Sequence, residues 1–152
     1  MIVKPMIRSN ICINAHPAGC AKEVENQIAY VLGMNAARGR QPGAEVSGGT
    51  HARGAVGAVL VLGCSTGYGL ASRITAAFGY GSATVGVSYE KEASETKSGT
   101  PGWYNNMAFD RASAKAGLAS VTINGDAFSD AVRAEVIAAA KKLGVTFDAV
   151  IY

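Results

Sequence analysis

The chain has 152 residues, with 14 Lys and Arg against 11 Asp and Glu for a formal net charge of +3; this length suits one packed domain and excludes a two-domain enzyme. At 49% apolar and 16% charged residues it can bury enough surface to offset chain ordering, which excludes global disorder. The cations are scattered and form no stripe, so nucleic acid is not an expected partner, and no apolar run approaches the roughly eighteen residues of a membrane span.

Met1-Ile2-Val3-Lys4-Pro5 leads into polar residues and not into the apolar segment of a signal peptide. Cys12, Cys20 and Cys64 contain no CxxC pair and, being three, cannot all be paired within one chain. That suits a reducing compartment, and a cytoplasmic location is expected. Residues 1–20 hold two prolines among scattered aliphatics and read as irregular, with one short strand around 8–13. Over 21–32 the apolar positions Ala21, Val24, Ile28, Val31 and Leu32 share one helical face, and Gly33 stands where a C-cap glycine would.

Residues 35–55 differ. Gly, Arg, Ser and Pro dominate, with no period of 2 or 3.6, so a flexible insertion is expected there. Arg38, Arg40, His51 and Arg53 give it positive charge, for which a solvated loop is the plain reading. Next comes the strongest segment, Val56-Gly57-Ala58-Val59-Leu60-Val61-Leu62, an aliphatic run that predicts a central parallel strand buried on both faces. Leu70, Ile74, Ala77 and Phe78 repeat at helical spacing up to Gly79, and a second strand is predicted over 83–89.

A polar loop follows over 91–102, then a helix over 104–116 that stops at Gly117, then a third strand over 118–123. Ser129 can N-cap a helix lined by Val132, Val136, Ala139, Ala140 and Leu143, with Lys141 and Lys142 set favourably against its dipole. A fourth strand is predicted over 147–152. The alternation β-α-β-α-β-α-β is the signature of an open parallel sheet with helices on both faces, an α/β fold.

The chemistry concentrates after the first strong strand. Gly63-Cys64-Ser65-Thr66-Gly67-Tyr68-Gly69 spaces its glycines G-x-x-x-G-x-G between a buried strand and a helix. Such a turn leaves backbone N–H groups unpaired above the sheet, where a pyrophosphate is the natural partner. Glycines allow close backbone approach, and Ser65 and Thr66 add hydroxyl donors. A P-loop would need Gly-Lys before Ser or Thr, whereas Gly69 precedes Leu70 and Ala71, so triphosphate hydrolysis is not expected. A tight turn serving only helix–strand packing remains the bland alternative. Glu90, at the end of the second strand, can accept from adenosine ribose hydroxyls and would repel a 2′-phosphate; this favours NADH, although Lys91 beside it works the other way.

With those residues in view, the chain resembles the NADH-dependent trans-2-enoyl-CoA reductases, also described as enoyl-acyl-carrier-protein reductases and allied to short-chain dehydrogenase/reductases. The likeness rests on Gly63-Cys64-Ser65-Thr66-Gly67-Tyr68-Gly69-Leu70-Ala71-Ser72-Arg73, Gly102-Trp103-Tyr104-Asn105 and Asn124-Gly125-Asp126-Ala127-Phe128-Ser129-Asp130. His16-Pro17-Ala18-Gly19-Cys20 looks like the same family's opening. The resemblance implies a Rossmann-like sheet of strand order 3-2-1-4, truncated after its fourth strand, whose free apolar edge invites self-association. It also implies that Gly63, Cys64, Ser65, Thr66, Gly67 and Tyr68 wrap the cofactor phosphates. Tyr89 and Glu90 then flank the ribose, and Asp126 and Ala127 lie by the adenine. From the residues alone, Asp126 reads equally as turn chemistry, and Trp103 and Tyr104 as core packing.

Three departures stand out. Cys64 occupies a position where the family usually has a small residue such as Ala, and 35–55 enlarges a short loop. The family's proton-donating Tyr, with a Lys eight residues beyond it, falls after the fourth strand and has no counterpart before Tyr152. Tyr-x-x-x-Lys also fails at Tyr30, Tyr68, Tyr80, Tyr89 and Tyr104, and Tyr89 with Lys97, which comes closest, is expected on the cofactor's adenosine side. Reducing an enoyl thioester needs hydride plus an acid that stabilises the developing enolate. The chain is therefore expected to be the N-terminal NADH-binding portion of such a reductase, inactive alone, with an acyl thioester substrate only in a longer chain. The rivals are a non-catalytic nucleotide-binding module and an inactive truncated product. Cys12, His16 and Cys20 share a four-residue spacing, but Pro17 interrupts the helix a metal site would use, and Cys64 lacks a histidine to make it a nucleophile.

Overall fold

The computed structural model describes residues 7–8, 11–12, 15–38 and 57–152. Where one short strand was expected near the start, β1 (Ile7–Arg8) and β2 (Ile11–Cys12) pair antiparallel as two very short strands. Helix α1 (Pro17–Ala37) is longer at both ends than the apolar spacing predicts. It begins at Pro17 because a first-turn proline has no N–H to satisfy. His16 caps it, its Nδ1 accepting from the Gly19 amide at 2.9 Å. The helix also runs through Gly33, which is therefore no C-cap. Buried Asn35 draws it onward, its side-chain amide donating to the carbonyls of Phe78 and Gly79 at 3.4 and 2.8 Å. The first residues of the expected insertion are thus helical, and its remainder, residues 39–55, lies outside the described residues.

Strand β3 (Ala58–Leu62) is central, as its unbroken aliphatic run requires. Val59 and Val61 pack on one face with Cys64 and Ala76, while Leu60 and Leu62 pack on the other. Helix α2 (Gly67–Ile74) follows and passes directly into a π-helical turn, Thr75–Gly79, that buries Ala76, Ala77 and Phe78 in succession. Strand β4 (Ala83–Ser88) is parallel to β3, with Leu60 opposite Val85.

Helix α3 (Pro101–Lys115) starts three residues before the predicted helix, again on a proline. Strand β5 (Ser120–Asn124), helix α4 (Asp130–Leu143) and strand β6 (Ala149–Ile151) complete the order. Ser129 caps α4 as expected, accepting from the Val132 amide, and Gly144 closes the helix in the left-handed region at φ 68°. The sheet runs β5-β4-β3-β6 with every pairing parallel, which is 3-2-1-4 for the four strands in chain order.

One face of the sheet carries α2, α3 and, stacked on them, α1, around Val24, Ile28, Leu70, Ile74, Phe78 and Phe109; α4 covers the other. Asp148 joins the ends of β6 and β3, its carboxylate accepting from the Gly57 and Ala58 amides at 2.8 and 2.9 Å. Among the described residues, no strand pairs with the outer edge of β6.

The least expected core member is Arg73. It is 0% exposed, lies 4.1 Å over the Phe109 ring and donates to Thr122 Oγ1 and the Val121 carbonyl at 2.8 and 2.9 Å. Asp110, itself accepting from Thr122 Oγ1 at 2.5 Å, sits 3.8 Å from the guanidinium. This one side chain ties α2 to β5 and α3. Replacing it with Ala leaves those half-buried acceptors unmet and a cavity beside Phe109, at a cost of about 3–5 kcal/mol. The apolar Arg73→Met variant fills the space and should lose distinctly less, which denaturant unfolding of the two variants checks.

Candidate functional site

All ten residues expected at the site follow the C-terminal ends of parallel strands, where open α/β sheets bind ligands. Residues 63–68 follow β3, Tyr89 and Glu90 follow β4, and Asp126 and Ala127 follow β5. The β3 turn is tightest. Gly63 takes φ 79° and Gly67 φ 53°, and the amides of Gly63 and Cys64 both donate to the Val87 carbonyl, at 2.8 and 3.1 Å. Gly69 lies so close to the Gly63 carbonyl that a Cβ would collide with it. Glycine at 69 is thus a packing requirement, set by how near α2 begins to the end of β3.

This start leaves α2 open. Thr66 takes the N-cap position without a side-chain hydrogen bond, and the Leu70 amide, on the Thr66 carbonyl at 3.2 Å, is the first to find a helical acceptor. Among the described residues the amides of residues 65–69 make no well-formed hydrogen bond to the protein, that of Thr66 closing the turn only loosely. The turn is open at two of its positions, since a Cβ at Gly63 or Gly67 meets nothing within 4 Å. Thr66, Gly67 and Tyr68 are exposed. Unpaired N–H groups at the positive end of a helix dipole, reachable and uncovered, fit an anionic diphosphate.

The side chains of the turn behave differently from its backbone. Cys64 is fully buried beneath it, Sγ 3.8 Å from Arg73 Nη1 and 3.7 Å from Asn106 Oδ1, so only its backbone borders the open face. Burial pushes its thiol above the usual range, partly offset by the Arg73 guanidinium, and it stays a protonated bystander. Ser65 is also buried, and its hydroxyl donates to Glu90 Oε1 at 2.5 Å. Thr100 Oγ1 donates to the other Glu90 oxygen.

Glu90 therefore clasps the glycine turn to the start of α3, while Asn124 holds its backbone from both sides, at 2.8 and 3.0 Å. Tyr89 is 82% exposed at the rim. Asp126 shapes the start of α4, its Oδ1 accepting from the Phe128 amide and its carbonyl from Ser129, and Ala127 packs into the core beside it.

Sequence reasoning passed over α3. Asn105 donates to the Ser65 carbonyl at 2.9 Å, buried Asn106 donates to Ser88 Oγ at 2.8 Å, and Gly102 leaves no room for a Cβ between Glu90 and Ser65. The signal was the motif Gly102-Trp103-Tyr104-Asn105, whose aromatics now have a function. Tyr104 Oη accepts from the Gly99 amide at 3.0 Å, and Trp103 lies against Gly99, so both brace the loop leading into α3.

Comparison with known proteins bears on the family and the fold. The family model described as the NAD(P)H-binding domain of trans-2-enoyl-CoA reductase matches residues 2–95, and that of the same enzyme's catalytic region matches 97–152. A trans-2-enoyl-CoA reductase [NADH] of Treponema denticola is 62% identical over all 152 residues, which cover 36% of its length. An enoyl-[acyl-carrier-protein] reductase [NADH] of Idiomarina loihiensis is 49% identical over the whole chain and 35% of its own. The crystal structure of the Treponema denticola enzyme in complex with NAD superposes with a TM-score of 0.83 over the whole chain and 36% of that structure. The Clostridium acetobutulicum trans-2-enoyl-CoA reductase in complex with NADH gives 0.79 at 36% identity, over the whole chain and 34% of that structure. The chain spans about a third of the length of the curated relatives it matches.

Two glycines separate packing from propensity. Gly69→Ala forces a methyl onto backbone and should destabilise by about 1–3 kcal/mol or more, whereas Gly33→Ala, inside α1 with open space around it, should stabilise by up to about 1 kcal/mol. Thermal melts of the two variants should move in opposite directions.

Proposed function

The chain belongs to the trans-2-enoyl-CoA reductase family, and on that premise we propose that it binds NADH as the cofactor-binding portion of an enzyme reducing the trans-2 double bond of acyl thioesters. The observation that carries this reading is the uncapped, uncovered first turn of α2 at the end of the central strand. There the amides of residues 65–69 would meet the diphosphate, and the exposed Thr66 hydroxyl can add a donor. Tyr89 and Glu90 at the adjoining strand end would flank the ribose, with Asp126 and Ala127 towards the adenine.

When bound, NADH supplies the hydride. The chain's part is to hold and orient the cofactor, and we assign it no proton donor: Tyr89, which has Lys97 eight residues on, belongs to the ribose side of the proposed site and not to the nicotinamide side. The reading includes a single dinucleotide-binding domain. It also includes a cytoplasmic setting, supported by there being no helix among the described residues long and apolar enough to cross a membrane.

Titrating the chain with NADH and following nicotinamide fluorescence should show saturable binding, and adding crotonyl-CoA should then cause no oxidation. Absence of binding would overturn the reading, and turnover would overturn the assignment of no acid. The carboxylate of Glu90 gives the second test. Its oxygens already accept from Ser65 and Thr100, so its effect on the cofactor is mainly its negative charge and its remaining lone pairs. Glu90→Gln keeps the side chain's shape and removes the charge, and should narrow the preference for NADH over NADPH by about tenfold. An unchanged ratio of the two affinities would remove Glu90 from cofactor selection.

A further inference from the structure

We propose that Asn105 is a positioning residue for the diphosphate, acting by fixing the orientation of the Ser65–Thr66 peptide; this rests on the dinucleotide reading above and extends it to a residue on α3. In a trans peptide the carbonyl and the next N–H lie in one plane and point in opposite directions. The Ser65 carbonyl points at α3, where the Asn105 side-chain amide donates to it at 2.9 Å. A carbonyl can only accept, so it is the nitrogen of Asn105 that faces it. The Thr66 N–H is thereby turned away from α3, at the mouth of the turn, where Thr66 is exposed.

Among the described residues the Ser65 carbonyl has Asn105 as its hydrogen-bond partner, while the Thr66 amide closes the turn only loosely and makes no well-formed hydrogen bond. Rotated by half a turn, the same peptide would present its carbonyl oxygen to the ligand. An acceptor would then replace a donor facing a doubly charged diphosphate.

The anchor is itself rigid. Asn106, the next residue, is buried and donates to Ser88 Oγ at 2.8 Å, Phe109 is fully buried one turn on, and Gly102 lets the start of α3 press against Glu90 and Ser65. Ser65 is thus held twice, by its hydroxyl on Glu90 and by its carbonyl on Asn105. Only the second contact decides which way the peptide faces.

The test uses the whole chain and two readouts. In the unsubstituted protein, amide hydrogen exchange read by NMR should show the Thr66 N–H exchanging freely and gaining protection when NADH or ADP-ribose is added. Asn105→Ala should weaken both ligands by about tenfold or more, the range of a hydrogen bond to a charged group. It should leave the weak binding of adenosine, which has no phosphate, unchanged, and Thr66 should no longer be protected. If the unsubstituted chain binds NADH while Thr66 gains no protection, or if Asn105→Ala binds ADP-ribose as tightly as before, the role of Asn105 falls and the cofactor reading stands. Equal weakening of adenosine would also overturn it, marking a merely structural contact. Failure of the unsubstituted chain to bind NADH overturns the cofactor reading and this inference together. Should Asn105→Ala not fold, the exchange measurement on the unsubstituted chain decides.

Discussion

Helix α2 begins so close to the end of β3 that no side chain fits between Gly69 and the Gly63 carbonyl, and the upper end of the sheet is organised by that approach. A strand that turns this sharply into a helix needs left-handed backbone at Gly63 and Gly67. The helix then starts on amides that make no well-formed hydrogen bond among the described residues. The parallel sheet sets these amides at the end of its central strand, between the ends of β4 and β6. Polar backbone that is unpaired, reachable and backed by a buried core is an incomplete structure in the sense that matters for binding. On the cofactor reading proposed above, an anion would complete it.

Support for this turn comes from two charged groups with opposite surroundings. Arg73 is wholly enclosed, and burial lowers its pKa from the usual guanidinium value. Its donors are met by hydroxyls and a carbonyl of β4 and β5 and by the Phe109 face, so the charge acts as a rivet between α2 and the sheet. Glu90 is only half-buried, takes hydroxyl protons from Ser65 and Thr100, and keeps capacity for further donors. The cation stiffens the floor of the site and the carboxylate shapes its rim. Cys64, enclosed between Arg73 and Asn106, fills the space between floor and turn.

Much of this was legible in the residues. The aliphatic run at 56–62 identified a central strand because both faces of β3 are covered, and the Ser129 cap and Lys141-Lys142 end of α4 depend only on local chemistry. The strand order and the glycine turn followed from alternation and from the family likeness. What failed were features fixed by distant contacts. The end of α1 is set by Asn35 reaching residues more than forty positions away, and no period records that. The hydroxyl of Ser65 was expected to face phosphate, yet its nearest acceptor is a carboxylate twenty-five residues on. The part played by Asn105 was invisible for the same reason, since an asparagine inside a helical pattern is silent until the fold brings a carbonyl to it.

The division of the chain into a cofactor-binding region ending at residue 95 and a catalytic region beginning at 97 does not coincide with a division in its physics. The boundary falls in the loop between β4 and α3, but β5 and β6, both beyond it, pair with β4 and β3 in one sheet. Thr100, Gly102 and Asn105, also beyond it, contact Glu90 and Ser65 before it. Without β5, β4 would be left with an unpaired edge, and Arg73 would lose its two shortest hydrogen bonds, to Thr122 Oγ1 and the Val121 carbonyl. The second region is therefore required to build the first, and the orientation of the turn in the cofactor-binding region is set by a helix of the catalytic one. Through the hydrogen bond of Asn105 to the Ser65 carbonyl, a shift of α3 would be felt directly by the Ser65–Thr66 peptide.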